Sequence, residues 1–209
     1  MGIRGDSYER IIGSHIILIG AIVGFLSLIA SIILYISADP TFSFMTHWIS
    51  NLGIGPNGSS VLFNGAMIYA GIMIWLYSLF LARHLHKNGA LKLLIIICFG
   101  CGMMLGIGLL LTGIFPMELV FGMHNIAAGL FFFGGMFSCM FYGITSYFTP
   151  NLSKLYAISG FLGVAIFIPY LIINFLPVYI GIIKLAEWAV FFVIPFWVMS
   201  QSFLMLRDK

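Results

Sequence analysis

Charge is what this sequence has least of. Only nine of its 209 residues are Lys or Arg and six are Asp or Glu, 7% in all, where a soluble domain carries about 25%. That scarcity, with 62% hydrophobic residues and a mean hydropathy of +1.14, excludes a water-soluble globular fold and points to an integral membrane protein. The net charge of +3 is small and no basic patch is visible, so nucleic acid is not an expected partner. Cysteine is also scarce. Cys98 and Cys101 form a C-x-x-C, but it lies inside an apolar run, and no loop carries the thiols that a disulfide relay would need. With Cys139, they read as small core residues. No H-E-x-x-H or comparable metal-ligand spacing occurs, and no repeat between the two halves suggests an inverted-repeat transporter.

What the chain does have is long apolar runs. About 20 such residues cross the hydrocarbon layer as a helix, because lipid cannot hydrogen-bond an open backbone. That length predicts spans at 11–36, 61–81, 91–115, 124–148, 155–176 and 182–206. The expected fold is therefore all-α, a single six-helix transmembrane domain over residues 1–209. The first run far exceeds the roughly 7 to 15 residues of a signal-peptide core and reads as a retained span. Arg4, Arg10, Arg83, Lys87, Lys92, Lys154, Arg207 and Lys209 all flank the spans on one side, and only Lys184 lies on the other. The positive-inside bias then puts both termini in the cytoplasm of a cell-membrane protein. Gly20/Gly24, Ala66/Ala70 and Gly102/Gly106 are small-xxx-small pairs suited to close helix packing, and Pro169 and Pro195 are expected to kink the last two helices.

One connection is long. Residues 37–60 hold "MTHWISNLGIGPNGSS", and a loop of that length in a compact protein is usually functional or disordered. Trp48 and Phe44 suit the membrane interface, Pro56-Asn57-Gly58 reads as a tight turn, and Ser59 or Ser60 is placed to cap the second helix. The expectation is an extracytoplasmic lid with His47 and Asn51 on one face, provided that Thr46 to Leu52 is helical. On the other side, His84 and His86 read as part of a basic turn that meets anionic headgroups.

The remaining polar residues collect on the lid side: Asp39, His47, Ser50, Asn51, Asn64, Glu118, His124, Asn125, Lys184 and Glu187. Ionisable groups at membrane depth are costly and usually face the bundle interior, whereas at the water interface they cost little. Lys184 and Glu187, three residues apart, are spaced to pair. Two His and several carboxylates on one face suit acid–base chemistry, a divalent metal or capture of a lipid headgroup, and the spacing does not choose among them.

The combination "HWISNLG", Pro56, Asn57, "FNG" from Phe63, "GIFP" from Gly113 and His124 resembles the prokaryotic multi-pass family DUF-998, along nearly the whole chain. That resemblance implies about six spans and no established activity. A more distant likeness, carried by Ile49, Ser50, Gly53 and His124, is to the Frag1/DRAM/Sfk1 family and implies lipid handling at the outer leaflet. The leading expectation is lipid binding or modification at the extracytoplasmic face. His47, Glu118 and His124 would be its catalytic set, and Asp39, Ser50, Asn51, Asn64, Asn125, Lys184 and Glu187 its ligand-binding set. Membrane lipids are the expected partners, with a second copy or another membrane protein as further ones; the cofactor is left open. A small-solute or ion transporter and a non-enzymatic membrane scaffold are the alternatives.

Overall fold

In the computed structural model, residues 3–117 and 121–207 are described. Six helices follow one another: α1 (Ile3–Ala38), α2 (Ser59–Lys87), α3 (Lys92–Ile114), α4 (Phe121–Phe148), α5 (Lys154–Ile173) and α6 (Ile180–Arg207). There is no strand among the described residues. Each helix contains a stretch long and apolar enough to cross a membrane. The chain is a multi-pass membrane protein.

The helix ends differ from the apolar runs for local reasons. α2 continues through Arg83, His84, His86 and Lys87, because cations are favourable against the carbonyl end of a helix. α5 stops at Ile173, ahead of the Leu176-Pro177 pair that disfavours helical backbone. There Asn174 Nδ2 returns to the Tyr170 carbonyl at 2.7 Å.

Short connections make successive helices antiparallel, so both described ends of the chain lie at one end of the bundle. The α2–α3 and α4–α5 connections meet there, with Asn151 Nδ2 donating to the Asn88 carbonyl at 3.3 Å. Each helix packs on its sequence neighbours, and α6 returns to α1 to close the ring.

The surface is as apolar as the interior. Ile33, Val61, Leu93 and Leu162 are each more than 60% exposed, while Ser31, Thr145, Ser146 and Gln201 are fully buried. That distribution fits a hydrocarbon solvent, in which polar side chains turn inward.

Two seams differ in tightness. A Cβ on Gly71 of α2 would lie 2.7 Å from the Gly106 carbonyl oxygen of α3, and one on Gly108 only 2.3 Å from the Phe131 backbone nitrogen of α4. Backbone meets backbone through the middle helices. Along α1 the contacts are side-chain ones instead: Phe25 packs against Phe192 and Phe196 of α6 at ring separations of 6.0 and 5.3 Å. Gly20 accommodates Met73, but Gly24 has nothing nearer than Tyr69 at 4.0 Å. A cavity opens beside it, lined by Ala21, Gly24, Met67, Ala70, Phe191 and Pro195 among others.

Candidate functional site

The end of the bundle away from the chain termini is covered by residues 39–58. Their shape is set by side chains that cap local backbone. The Asp39 carboxylate accepts from the Thr41 backbone N–H at 3.0 Å and the Thr41 hydroxyl at 2.6 Å. Those bonds hold the Asp39 carboxyl below its ordinary pKa, with a smaller contribution from His47. Asn51 Oδ1 accepts from the Trp48 N–H at 2.7 Å and opens a short 3-10 turn, Ile49–Ile54. Pro56-Asn57-Gly58 then reverses the chain with φ of 54° at Asn57 and 81° at Gly58, a backbone that Asn and Gly tolerate best.

Two expectations for this segment are corrected. The helical turn begins after His47 and is 3-10, with three residues per turn, so His47 and Asn51 do not share a face; Asn51 is spent on the Trp48 backbone. The α2 cap is Gly58 without a side-chain bond. Ser59 is instead buried, its hydroxyl 3.3 Å from the Leu52 carbonyl and 3.0 Å from Ser31 Oγ, which fastens the lid between α1 and α2.

The lid is also fastened to α6, by one face of a single turn. Lys184 Nζ donates to the Thr46 carbonyl at 2.7 Å and lies 5.5 Å from the centre of the Trp48 ring. Trp188 Nε1 donates to the His47 carbonyl at 2.9 Å. The buried Glu187 carboxyl takes the Ile49 backbone N–H as its donor. Positions i, i+3 and i+4 of a helix lie side by side, so three consecutive contacts with lid backbone follow from one stripe of α6. Among the described residues Lys184 and Glu187 form no ion pair within 4.0 Å. The spacing permits the pair, but each side chain reaches the lid instead.

His47 sits beneath this strap. Its Nε2 is 4.0 Å from Asp39 Oδ2, its Nδ1 is 2.8 Å from Thr46 Oγ1, and its ring stacks on Phe42 at 5.0 Å and 23°. His124 is buried in the first turns of α4, with Nδ1 2.9 Å from the Phe115 carbonyl. Ser50 Oγ faces Met117 Sδ at 3.3 Å, linking the lid to the α3–α4 connection. Asn64 Nδ2 holds the Gly53 carbonyl at 2.9 Å, and its buried Oδ1 has no partner. Asn125 is exposed on α4, about 100° around the helix from its buried neighbour His124. Glu118 lies outside the described residues. Asp39, His47, Lys184 and Glu187 thus gather around the lid, while His124 binds backbone at the α3–α4 corner. Among the described residues no group of three His, Cys, Asp or Glu side chains is arranged to hold a metal ion.

Residues 21–201 match the family described as protein of unknown function (DUF998). The chain belongs to that family. No curated protein and no solved structure matches it. The DUF998 match spans the lid and the helices that hold it, and brings no assigned chemistry to either.

Sequence reading passed over a second polar group in the half of the bundle nearer the chain termini. Tyr77, Ser138 and Trp197, each at most 4% exposed, line a small cavity with Tyr142, Ser78 and Cys98. Each of these types is common in a membrane core, so only their convergence singles them out. Cys98 donates or accepts with Thr145 Oγ1 at 3.3 Å, and all three cysteines are free thiols. His84 is buried with its ring 5.6 Å from that of Tyr156, and so belongs to this interior and not to a headgroup-facing turn.

Proposed function

We propose that this protein binds a lipid headgroup at the lid end of the bundle, and that this end faces the extracytoplasmic side. The observation that carries the reading is the strap of Lys184, Glu187 and Trp188 across the lid backbone. An ammonium bonded to one carbonyl keeps two N–H donors for an anionic group. The Asp39 carboxylate and His47 imidazole, 4.0 Å apart, add further polar groups to the same lid. Exposed Phe44 and half-buried Trp48 supply the amphipathic surface of a membrane interface. Arg83, Lys87, Lys92, Lys154 and Arg207 all belong to the opposite end, which supports cytoplasmic termini by the positive-inside rule.

Binding is favoured over a His–Glu–His catalytic set. His47 and His124 have different partners, and the described residues offer no metal cluster to activate water. The test is native mass spectrometry of the protein extracted from its own membranes, beside a Lys184→Gln variant that removes the ammonium charge. An anionic phospholipid retained by the parent and lost from the variant is expected. Equal retention by both proteins would overturn the reading. Total-lipid profiles of cells with and without the protein extend the test to modification, since a converted lipid would appear only with the parent.

A further inference from the structure

The second polar group has an unusual property for the interior of a membrane protein. The Tyr77 hydroxyl, the Ser138 hydroxyl and the Trp197 indole N–H are buried without a hydrogen-bond partner. Gln201 Oε1 and Ser146 Oγ, in the same half of the bundle, are in the same condition. Leaving such a group unpaired is costly, and lipid provides no water to relieve it. Three of them on α2, α4 and α6 border one cavity of about 10 Å³, roughly the space that a single water-sized atom requires. Tyr77 and Trp197 are held edge to face with ring centres 5.6 Å apart, and Tyr142 meets Trp197 at 5.7 Å. The Tyr77 hydroxyl and the Trp197 N–H are thus positioned by packed aromatic rings and cannot turn aside cheaply.

Ile74 lines this cavity and also a second, larger one of about 70 Å³ between α1, α2 and α6. Its described lining is apolar throughout, with Phe25, Leu28, Met73 and Ile194 on its walls, and it is partly open. Neither cavity has a charged residue among its described lining.

We infer that the two cavities together form a binding site for an uncharged single-chain amphiphile. Its chain lies in the apolar cavity, and its one hydroxyl or carbonyl oxygen passes Ile74 to meet Tyr77, Ser138 and Trp197. The donor set selects this chemistry. Indole N–H only donates, the two hydroxyls donate or accept, and an anionic headgroup would find no cation in either lining to offset its desolvation. The inference does not rest on headgroup binding at the lid, since the site uses none of the residues that hold the lid.

The probes are 1-decanol and decane, added separately to the full-length protein in lipid nanodiscs and read by native mass spectrometry and thermal unfolding. One bound decanol and a raised unfolding temperature are expected, with little binding of decane. Tyr77→Phe removes only an unpaired hydroxyl, so the ligand-free variant should unfold at or above the parent temperature while its decanol affinity falls about tenfold. Trp197→Phe should lower the affinity likewise. Equal binding of decane and decanol would overturn the assignment of the polar cavity. Absence of decanol binding would overturn the whole inference and leave the cavity to a lone water. Neither result bears on the lid, which is tested separately by retention of an anionic phospholipid.

Discussion

The indole of Trp188 on α6 donates to the backbone carbonyl of His47, 141 positions away in sequence, at 2.9 Å. The ring is 2% exposed and packs edge to face on Phe44 at 4.8 Å. A bond from so fixed a donor ties the position of the lid to the position of α6. Any ligand that entered beneath the lid would have to break this bond or fit around it.

Trp188→Phe keeps most of the ring and removes the N–H. The lid should lose about 0.5–1.5 kcal/mol of local stability, seen as amide hydrogen exchange over residues 46–54 accelerated by up to about tenfold while the helix interiors are unaffected. Unchanged exchange there would mean that Lys184 and Ser59 hold the lid without help from the indole.

The tight middle seam makes a second expectation. Gly108→Ala drives a methyl into the Phe131 backbone, which has no rotamer to give way, and should destabilise the protein by about 1–3 kcal/mol. Gly100→Ala, on the same helix with nothing within 4 Å, should be neutral or gain up to about 1 kcal/mol from helix propensity. Thermal unfolding in detergent compares the two; equal effects would show that helix propensity and not backbone contact governs the seam.

Asp39 gives a pH expectation. The Thr41 bonds lower its pKa in the folded protein, so the folded lid binds the proton less readily than the unfolded chain does. The stabilisation is therefore complete above the ordinary aspartate value and is lost as pH falls through the lowered one. Thr41→Val should return the Asp39 titration, followed by carboxyl carbon NMR, toward the ordinary value. A titration that is unmoved by the substitution would assign the shift to the backbone N–H at position 41, which Val retains, and to His47.

Much of the architecture was legible without coordinates, and the reasons are specific. Runs such as 11–36 are too long and too apolar to be anything but spans, and the Pro56-Asn57-Gly58 turn declares itself through residues that tolerate left-handed backbone. The "HWISNLG" and "GIFP" segments carried the family. The candidate site was less legible. Lys184 and Glu187 looked like a pair because spacing is all that a sequence offers, and Ser59 looked like a cap for the same reason. The structure gives all three to the lid backbone.

What the sequence determined by itself, then, is the number of helices, their lipid-compatible length and the presence of one polar lid, because hydrophobicity and turn chemistry are local properties. Tertiary structure alone decided which side of each helix faces inward. His124 is buried and Asn125 is exposed, yet nothing in their neighbouring runs distinguishes them. A soluble helix announces its inner face by an apolar stripe, but in lipid both faces are apolar and the stripe vanishes. Convergence of Tyr77, Ser138 and Trp197 from three helices is a matter of packing, and packing is fixed only when all six helices meet.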